Sequence, residues 1–297
     1  MSSVGFGPLA RIEGPQPIAP LYGLVQAALA PASGISLVTD VDAGGRERWI
    51  NGVEVFPYPP DQTRSWNACA LGTFRQNKDS GTAVTNPQFD PMVIYIPESC
   101  SAVRIDQDTY AARATTALAA TESAAVASEF MRGDELPLNP NLGNSSRLSL
   151  LNGGAVTSPT NALALLEWAI AQSQRAGIVH TTPSMMAALG QLKWDKSTGV
   201  VRTPAGTVVV PEAGYARQGG GWAPTGGAVA SGTKEWMFAT GPIEIRRSEI
   251  FLIPDRIEQA VNRTTNQVTY RAERYYLVDW DVQLHAAVLA DRCQTAC

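Results

Sequence analysis

The stretch from Asp106 to Met131, DQDTYAARATTALAATESAAVASEFM, contains neither Pro nor Gly and is dominated by Ala. Asp106 and Asp108 at its start can accept hydrogen bonds from the free N–H groups of a first helical turn, and both suit the positive end of a helix dipole. Tyr110, Ala114, Ala117, Leu118, Ala125 and Phe130 recur at steps near three and four, which predicts one apolar stripe. Gly133 is placed to stop the helix. The rod would be about 38 Å long. An Ala-rich face lets a neighbour come close but buries little per residue, so the helix is expected to lie along a sheet. An ordinary long surface helix is the other reading of the same stretch.

A second long element closes the chain. Within Thr269–Leu289, the residues Tyr276, Val278, Trp280, Val282, Leu284, Ala286 and Val288 alternate with a mostly polar set. Period two predicts a strand buried on one face and polar on the other. Strand and helix would span the same distance and pack as a two-layer slab.

Between and around these elements the character changes. Residues 1–35 read as an arm: Pro8, Pro15, Pro17, Pro20 and Pro31, with several glycines, break regular structure and leave Leu21–Ala30 as the one candidate helix. Such an arm is ordered only against its own body or a neighbour. In 36–96, the β-prone runs Ile35–Thr39, Trp49–Val55 and Met92–Ile96 flank a polar middle with turn chemistry at Asp79-Ser80-Gly81, predicting a long hairpin. A projecting ribbon has little core of its own and is marginal alone. From Ser158-Pro159 helices and strands alternate. One helix is capped by Ser158 and closed by Gly177, Ile178–His180 is a buried strand, and a helix opening at Thr182-Pro183 is stopped by Gly190. Strands Val200–Arg202 and Thr207–Val210, a glycine-rich loop 214–231, and strands Trp236–Ala239 and Ile243–Ile253 follow, with a polar excursion over Arg256–Asn266.

Composition narrows the function. The 297 residues suffice for one large or two ordinary domains, and only 17% are charged. A net charge of −4 with no basic run lacks the footprint of a sequence-reading nucleic-acid binder. No apolar run approaches a membrane span, and the N-terminus has no signal-peptide core, so a soluble protein of a reducing cytoplasm is expected. Cys69 and Cys100 stand far apart, and Cys293 and Cys297 close the chain as a tail with free thiols, a metal site there lacking a second Cys/His pair.

Catalytic motifs are scarce. There is no G-x-S-x-G or H-E-x-x-H. His180, before a helix, reads as a satisfied interior histidine or as the centre of an enzyme pocket with the loop 214–231. His285 shares the expected strand face with Asp281 and Asp279, a spacing that suits metal ligands or an interface. GAVASGTK at 227–234 has Thr before Lys where a phosphate loop needs the reverse order, and is rejected. Asn144-Ser145-Ser146 and Asn262-Arg263-Thr264 are glycosylation sequons by pattern only.

Taken together, YAARATTALAATESAAVASEF after a β-prone ribbon, NALALLEWAIAQSQRAGIVHTTPSMMAALG, and ATGPIEIRRSEIFLI with NRTTNQVTYRAERYYLVDWDVQLHAAVLAD are similar to successive parts of the major capsid protein of tailed bacteriophages. This is the Hong Kong 97-type shell fold, which encapsulins share, and the resemblance runs from about residue 36 to near the end. It implies an α+β fold with an N-terminal arm (1–35) and an extended β-hairpin loop (36–96). A peripheral domain (97–154 and 241–297) would carry the spine helix 106–131, and an axial domain would take 155–240. The implied function is self-assembly into an icosahedral shell around double-stranded DNA, without enzymatic activity or cofactor. The implied partners are further copies in hexamers and pentamers, a scaffolding protein as a separate chain, portal and decoration proteins, and DNA held by non-specific contact, with no membrane. The location would be the virion capsid, assembled in the host bacterial cytoplasm. Phe74, Arg75, Lys78, Asp79 and Trp222 are the expected inter-subunit contacts. Some shells of this family join subunits by isopeptide bonds, for which Lys78 with Asn262 or Asn266 is the candidate, a solvated lysine and turn asparagines being the alternative. An encapsulin-like compartment shell, a minor head protein of the same fold, and a soluble α/β enzyme with a site near His180 are the competing readings.

Overall fold

The computed structural model describes residues 16–18, 20–30, 32–43, 45–56, 86–101, 107–145, 147–195, 200–215, 222–255, 257–262, 264–265 and 267–294. In chain order these form α1 (Leu24–Ala28), β1 (Ile35–Val38), β2 (Val53–Glu54), β3 (Gln88–Phe89), β4 (Met92–Ser101) and α2 (Gln107–Arg132). Then come β5 (Ser149–Leu150), α3 (Pro159–Ser173), β6 (Ile178–Thr181), α4 (Pro183–Leu189), β7 (Lys193–Asp195), β8 (Val200–Arg202) and β9 (Val208–Pro211). The chain closes with β10 (Lys234–Thr240), β11 (Ile243–Arg247), β12 (Phe251–Ile253), α5 (Ile257–Ala260), β13 (Val261–Asn262), β14 (Gln267–Trp280) and β15 (His285–Asp291).

The expected slab is present. α2 stops at Arg132, where Gly133 takes φ 63 and donates its N–H to Glu129 O at 2.7 Å. Its buried stripe is Ala114, Leu118, Glu122, Val126 and Phe130, so every fourth residue turns inward. Ala114 and Leu118 pack on Ile94, Ile96 and Ala272 of the sheet below. That sheet is built on β14. β4 pairs antiparallel along one edge from Gln267 to Tyr276, while β13, β12 and β11 take successive stretches of the other, and β1 adds in parallel to β11. The expected run Ile243–Ile253 is therefore two strands, with Ser248 between them still bonded to Tyr275 O.

One carboxylate in the stripe has no place in an apolar reading. Glu122 is 4% exposed and accepts from Arg274 Nη1 at 2.9 and 3.0 Å, which ties the helix to the central strand. Arg113 on the same helix reaches Glu98 on β4 at 3.0 Å.

The single closing strand expected over Thr269–Leu289 does not exist. β14 ends at Trp280, the chain turns over residues 281–284, and β15 enters a different, seven-stranded sheet of order β5-β15-β10-β6-β9-β8-β7. The alternation runs through the corner because four residues, an even number, make the turn and preserve parity. Beside it β10 crosses to β11 at Gly241-Pro242, with Thr240 opposite His285 and Ile243 opposite Trp280. Two residues on the inside of the bend thus face four on the outside. A Cβ at Gly241 would lie 2.8 Å from Asp281 Cβ, so the inner strand needs glycine there. The second sheet also takes in Ser149–Leu150 and His285–Asp291, from either side of the 155–240 stretch in which an axial domain was expected.

This sheet is covered on both faces. Residues 285–290, β6 and β9 are buried at every position, as expected of strands with no solvent face. α3 and α4 cover one side over Leu166, Met185, Val209 and Met237; on the other lie Phe238, Val210, Tyr215 and Phe130. Ser158 and Thr182 cap α3 and α4 as predicted, accepting from the N–H groups of Asn161 and Met185. Gly177 does not end α3. Gln174 does, at φ 54, and Gly177 lies where a Cβ would press on Ile170 Cγ1 at 2.5 Å.

The arm's candidate helix shortens to α1. It sits in the core, with Leu24 and Val25 at 0% and 2% exposure. Its first N–H groups are held by the protein body: Leu24 N donates to Glu212 Oε2 at 3.1 Å and Val25 N to Ser123 Oγ at 3.3 Å. Ser123 Oγ also donates to Glu212 Oε2 at 2.6 Å, so one buried carboxylate joins the arm, the spine helix and the axial sheet. The arm lies against its own body there.

Candidate assembly surface

The place where a partner would meet this molecule is best located from the root of the expected ribbon. β2 and β3 pair antiparallel, Val53 opposite Phe89, and a small antiparallel bridge joins Val41 to Glu47 just before them. The flanking runs do not pair with each other: β1 joins β11 and β4 joins β14, because the large sheet offers longer edges. The root is anchored firmly. Phe89 and Trp49 are fully buried. Asn139 clamps the backbone of Asp90 from both sides at 2.9 Å, and Val55 N donates to Pro87 O at 3.0 Å. Gly52, at φ 88, allows the crossing, since a Cβ would lie 2.8 Å from Asp90 Oδ1.

Grooves border the root on either side. One of about 620 Å³ runs beside β2, lined by Val55, Phe56, Pro242 and Trp280 and by the pairs Arg175–Asp281 and Arg246–Asp279. Burial pushes the Asp279 carboxyl up to about 6, against the opposing pull of Arg246. The other, of about 700 Å³, runs beside β3 and is lined by Pro137, Leu138, Asn144, Arg147 and Gln283. Phe56 is 75% exposed and Leu138 90%, large apolar side chains left in water beside a rigid hairpin base. A third exposed surface lies on the face of the β14 sheet opposite α2, where Val93 and Tyr95 on β4 and Phe251 and Ile253 on β12 flank Arg271, Glu273 and Tyr275 of β14. Arg271 lies over the Tyr95 ring at 5.7 Å.

Of the expected contact residues, Phe74, Arg75, Lys78 and Asp79 lie outside the described residues. Trp222 is half-buried; its ring packs 6.0 Å from that of Phe238 and leaves no room for a Cβ at Gly143. Of the crosslink candidates, Lys78 and Asn266 are also outside the described residues. Asn262 uses its Oδ1 to accept from Thr264 N at 3.0 Å in its own turn.

The histidines are interior groups. His180 is 1% exposed, with Nδ1 2.8 Å from Tyr215 Oη and Nε2 2.8 Å from Thr240 Oγ1, and burial holds its pKa down at about 3. An imidazole that stays neutral and has both nitrogens occupied is not placed to exchange protons with a substrate. His285 stands in β15 beside Trp280, its Nε2 3.1 Å from Leu142 O, and burial lowers it to about 4. The shared face with Asp279 and Asp281 is lost at the corner, and both aspartates are paired with arginines. Among the described residues no group of three or more His, Cys, Asp or Glu is arranged to hold a metal. No helix among them is long and apolar enough to cross a membrane. Cys293 is an exposed free thiol; Cys69 and Cys297 fall outside the described residues.

No protein-family model matches the sequence, and no curated protein matches it significantly. Solved structures do match. The capsid of an empty GTA particle superposes with a TM-score of 0.54 at 13% identity, over 97% of this chain and 95% of that one. The capsid of the native GTA particle gives the same TM-score at 14% identity, over 95% and 99%. A Mycobacterium phage Che8 chain matches at 0.49 and 12% identity, over 99% and 98%. The arm helix beneath the spine, the slab, the ribbon root at the corner and the doubly covered second sheet are thus the parts of one known architecture: the chain has the Hong Kong 97-type capsid fold.

Proposed function

We propose that the protein is a capsid subunit whose copies assemble into a closed icosahedral shell around double-stranded DNA, as in the head of a tailed bacteriophage or a related particle. The observation that carries this is the match in fold to GTA capsid subunits over nearly the full length of both chains. The surface supports it: exposed Phe56 and Leu138 beside the β2–β3 base, and exposed Tyr95 and Phe251 on one face of the β14 sheet, are what a subunit needs when its partners are further copies of itself. In this reading the part of 36–96 that lies beyond the β2–β3 root belongs to the loop that overlaps a neighbour, with Phe74, Arg75, Lys78 and Asp79 in the contact. Trp222, half-buried on the adjoining loop, belongs to the same contact. Residues 155–240 form most of the axial domain, and 97–154 with 241–297 most of the peripheral one. Hexamers and pentamers, a separate scaffold, a portal, decoration proteins, assembly in a bacterial cytoplasm and a role without catalysis belong to the same proposal. A net charge of −4 suits a wall that must hold DNA without binding it tightly.

Negative-stain electron microscopy of the protein expressed alone, with the absorbance ratio at 260 and 280 nm of whatever forms, tests the proposal. Closed shells or ring-shaped capsomers are expected. Shells filled with protein instead of nucleic acid would turn the assignment toward a cellular compartment. A monomer or dimer that persists at high concentration would remove it.

A further inference from the structure

α3 carries one charged residue, Glu167, and that carboxylate is turned inward to Thr203 Oγ1 at 2.5 Å and Thr207 Oγ1 at 2.7 Å. The exposed positions are Thr160, Asn161, Ala164, Trp168, Ala171 and Gln172, which makes a charge-free outer face with a 59% exposed tryptophan at its middle. A helix on a free surface ordinarily turns charged residues to water. A second exposed tryptophan lies at the far edge of the same sheet: Trp194 on β7, 42% exposed, with exposed Lys193 preceding it on the opposite face of the strand. α3 packs over β15 and β10, and four strand spacings separate β10 from β7, roughly 19 Å.

We propose that these two patches are the two halves of one contact: the α3 face of one copy seats against the β7 edge of the next, around a ring of axial domains. The inference rests on the shell reading, and it names the surface by which the rings close. Two unlike patches set apart on one domain are what a head-to-tail contact requires; a two-fold contact would use one patch twice. The occupant is a second copy because the face suits one. The chain is net negative, and α3 offers the approach that costs no like-charge repulsion. Tryptophan at the centre of each patch is the side chain most enriched at the energetic centres of interfaces.

The test uses the full chain with Trp168→Glu and, separately, Trp194→Glu, followed by sedimentation velocity and electron microscopy. Either variant is expected to raise the concentration needed for assembly by roughly tenfold or more. An equimolar mixture is expected to stop at a heterodimer, since one intact α3 face can still meet one intact β7 edge. Ala164→Glu and Lys193→Glu, both at exposed positions, repeat the test without removing an aromatic ring. Loss of assembly from the α3 variants alone would overturn the pairing with β7. Normal assembly by all four variants would overturn the proposal, leave the shell reading intact, and assign the α3 face to some other partner. A wild-type chain that never assembles would sink the shell reading itself, and this inference with it.

Discussion

The two sheets of this molecule solve the same problem in different ways. Among the described residues the β14 sheet carries helices on one face only, and over residues 267–272 exposed and buried positions alternate strictly. Its long helix is Ala-rich and buries little per residue, so it is stitched down by charge: Glu122 to Arg274, Arg113 to Glu98. The seven-stranded sheet is covered on both sides, and residues 285–290 of β15 are buried without a break. Its polar interior groups, His180 and His285, are kept neutral by burial. The lesson is that a smooth helix on a one-sided sheet needs ion pairs to choose its register, whereas a doubly covered sheet is located mainly by shape, helped by neutral donors on a carboxylate such as Thr203 and Thr207 on Glu167. Buried ion pairs are often poor stabilisers but good specifiers, and this is where the molecule uses one.

The comparison breaks most sharply at Glu122. Glu122→Ala strands Arg274 in the interface and is expected to cost about 4 kcal/mol, read as a shift in the urea midpoint. Replacing both partners, Glu122→Leu with Arg274→Met, should recover most of that loss while broadening the transition; full stability with an unchanged transition would show that charge does not set the register. The apolar counterpart is Leu166→Ala under α3, where a cavity in a fully buried site should cost about 3 kcal/mol with no change in cooperativity.

Acid should act on the second sheet before the first. His180 and His285 titrate at about 3 and about 4 in the fold, below the ordinary 6.5, so their contribution is present above 6.5 and is lost as the pH falls. Between pH 7 and pH 5 each histidine should remove about 2 kcal/mol. Asp279, raised to about 6, has the opposite sign: its protonated form suits the fold, and it should return about 1 kcal/mol over the same interval. Thermal melts across that range are expected to fall, and a flat profile would show that the imidazoles are accessible. The smallest effect belongs to Ser158→Ala, about 1 kcal/mol for the lost cap of α3, measurable by the same melts.

Much of this was legible in the chain. The spine helix, its stop at Gly133, both capped helices, the short strands near 178 and 208, and an interior role for His180 each rest on a local signal that tertiary packing did not override. Glu122 was not legible as a core residue, because a glutamate in a helix reads as surface until its partner arrives from 152 positions away. The break in the closing strand is hidden for a related reason. Alternation reports which way side chains point, and an even-numbered turn leaves that parity untouched. The exposed faces at Trp168 and at Tyr95 were not visible either, since hydrophobic residues in a periodic pattern do not reveal whether anything lies above them.

What the sequence determined by itself is what nearest neighbours along the chain decide: where helices start and stop, which segments extend, and which face of each is apolar. What only the tertiary structure decided is which sheet a strand joins, where the long ladder bends between Gly241 and Leu284, and which polar side chains are buried together. Those outcomes depend on pairs far apart in sequence. Their energies come from desolvation and contact across the fold, and no local pattern encodes them.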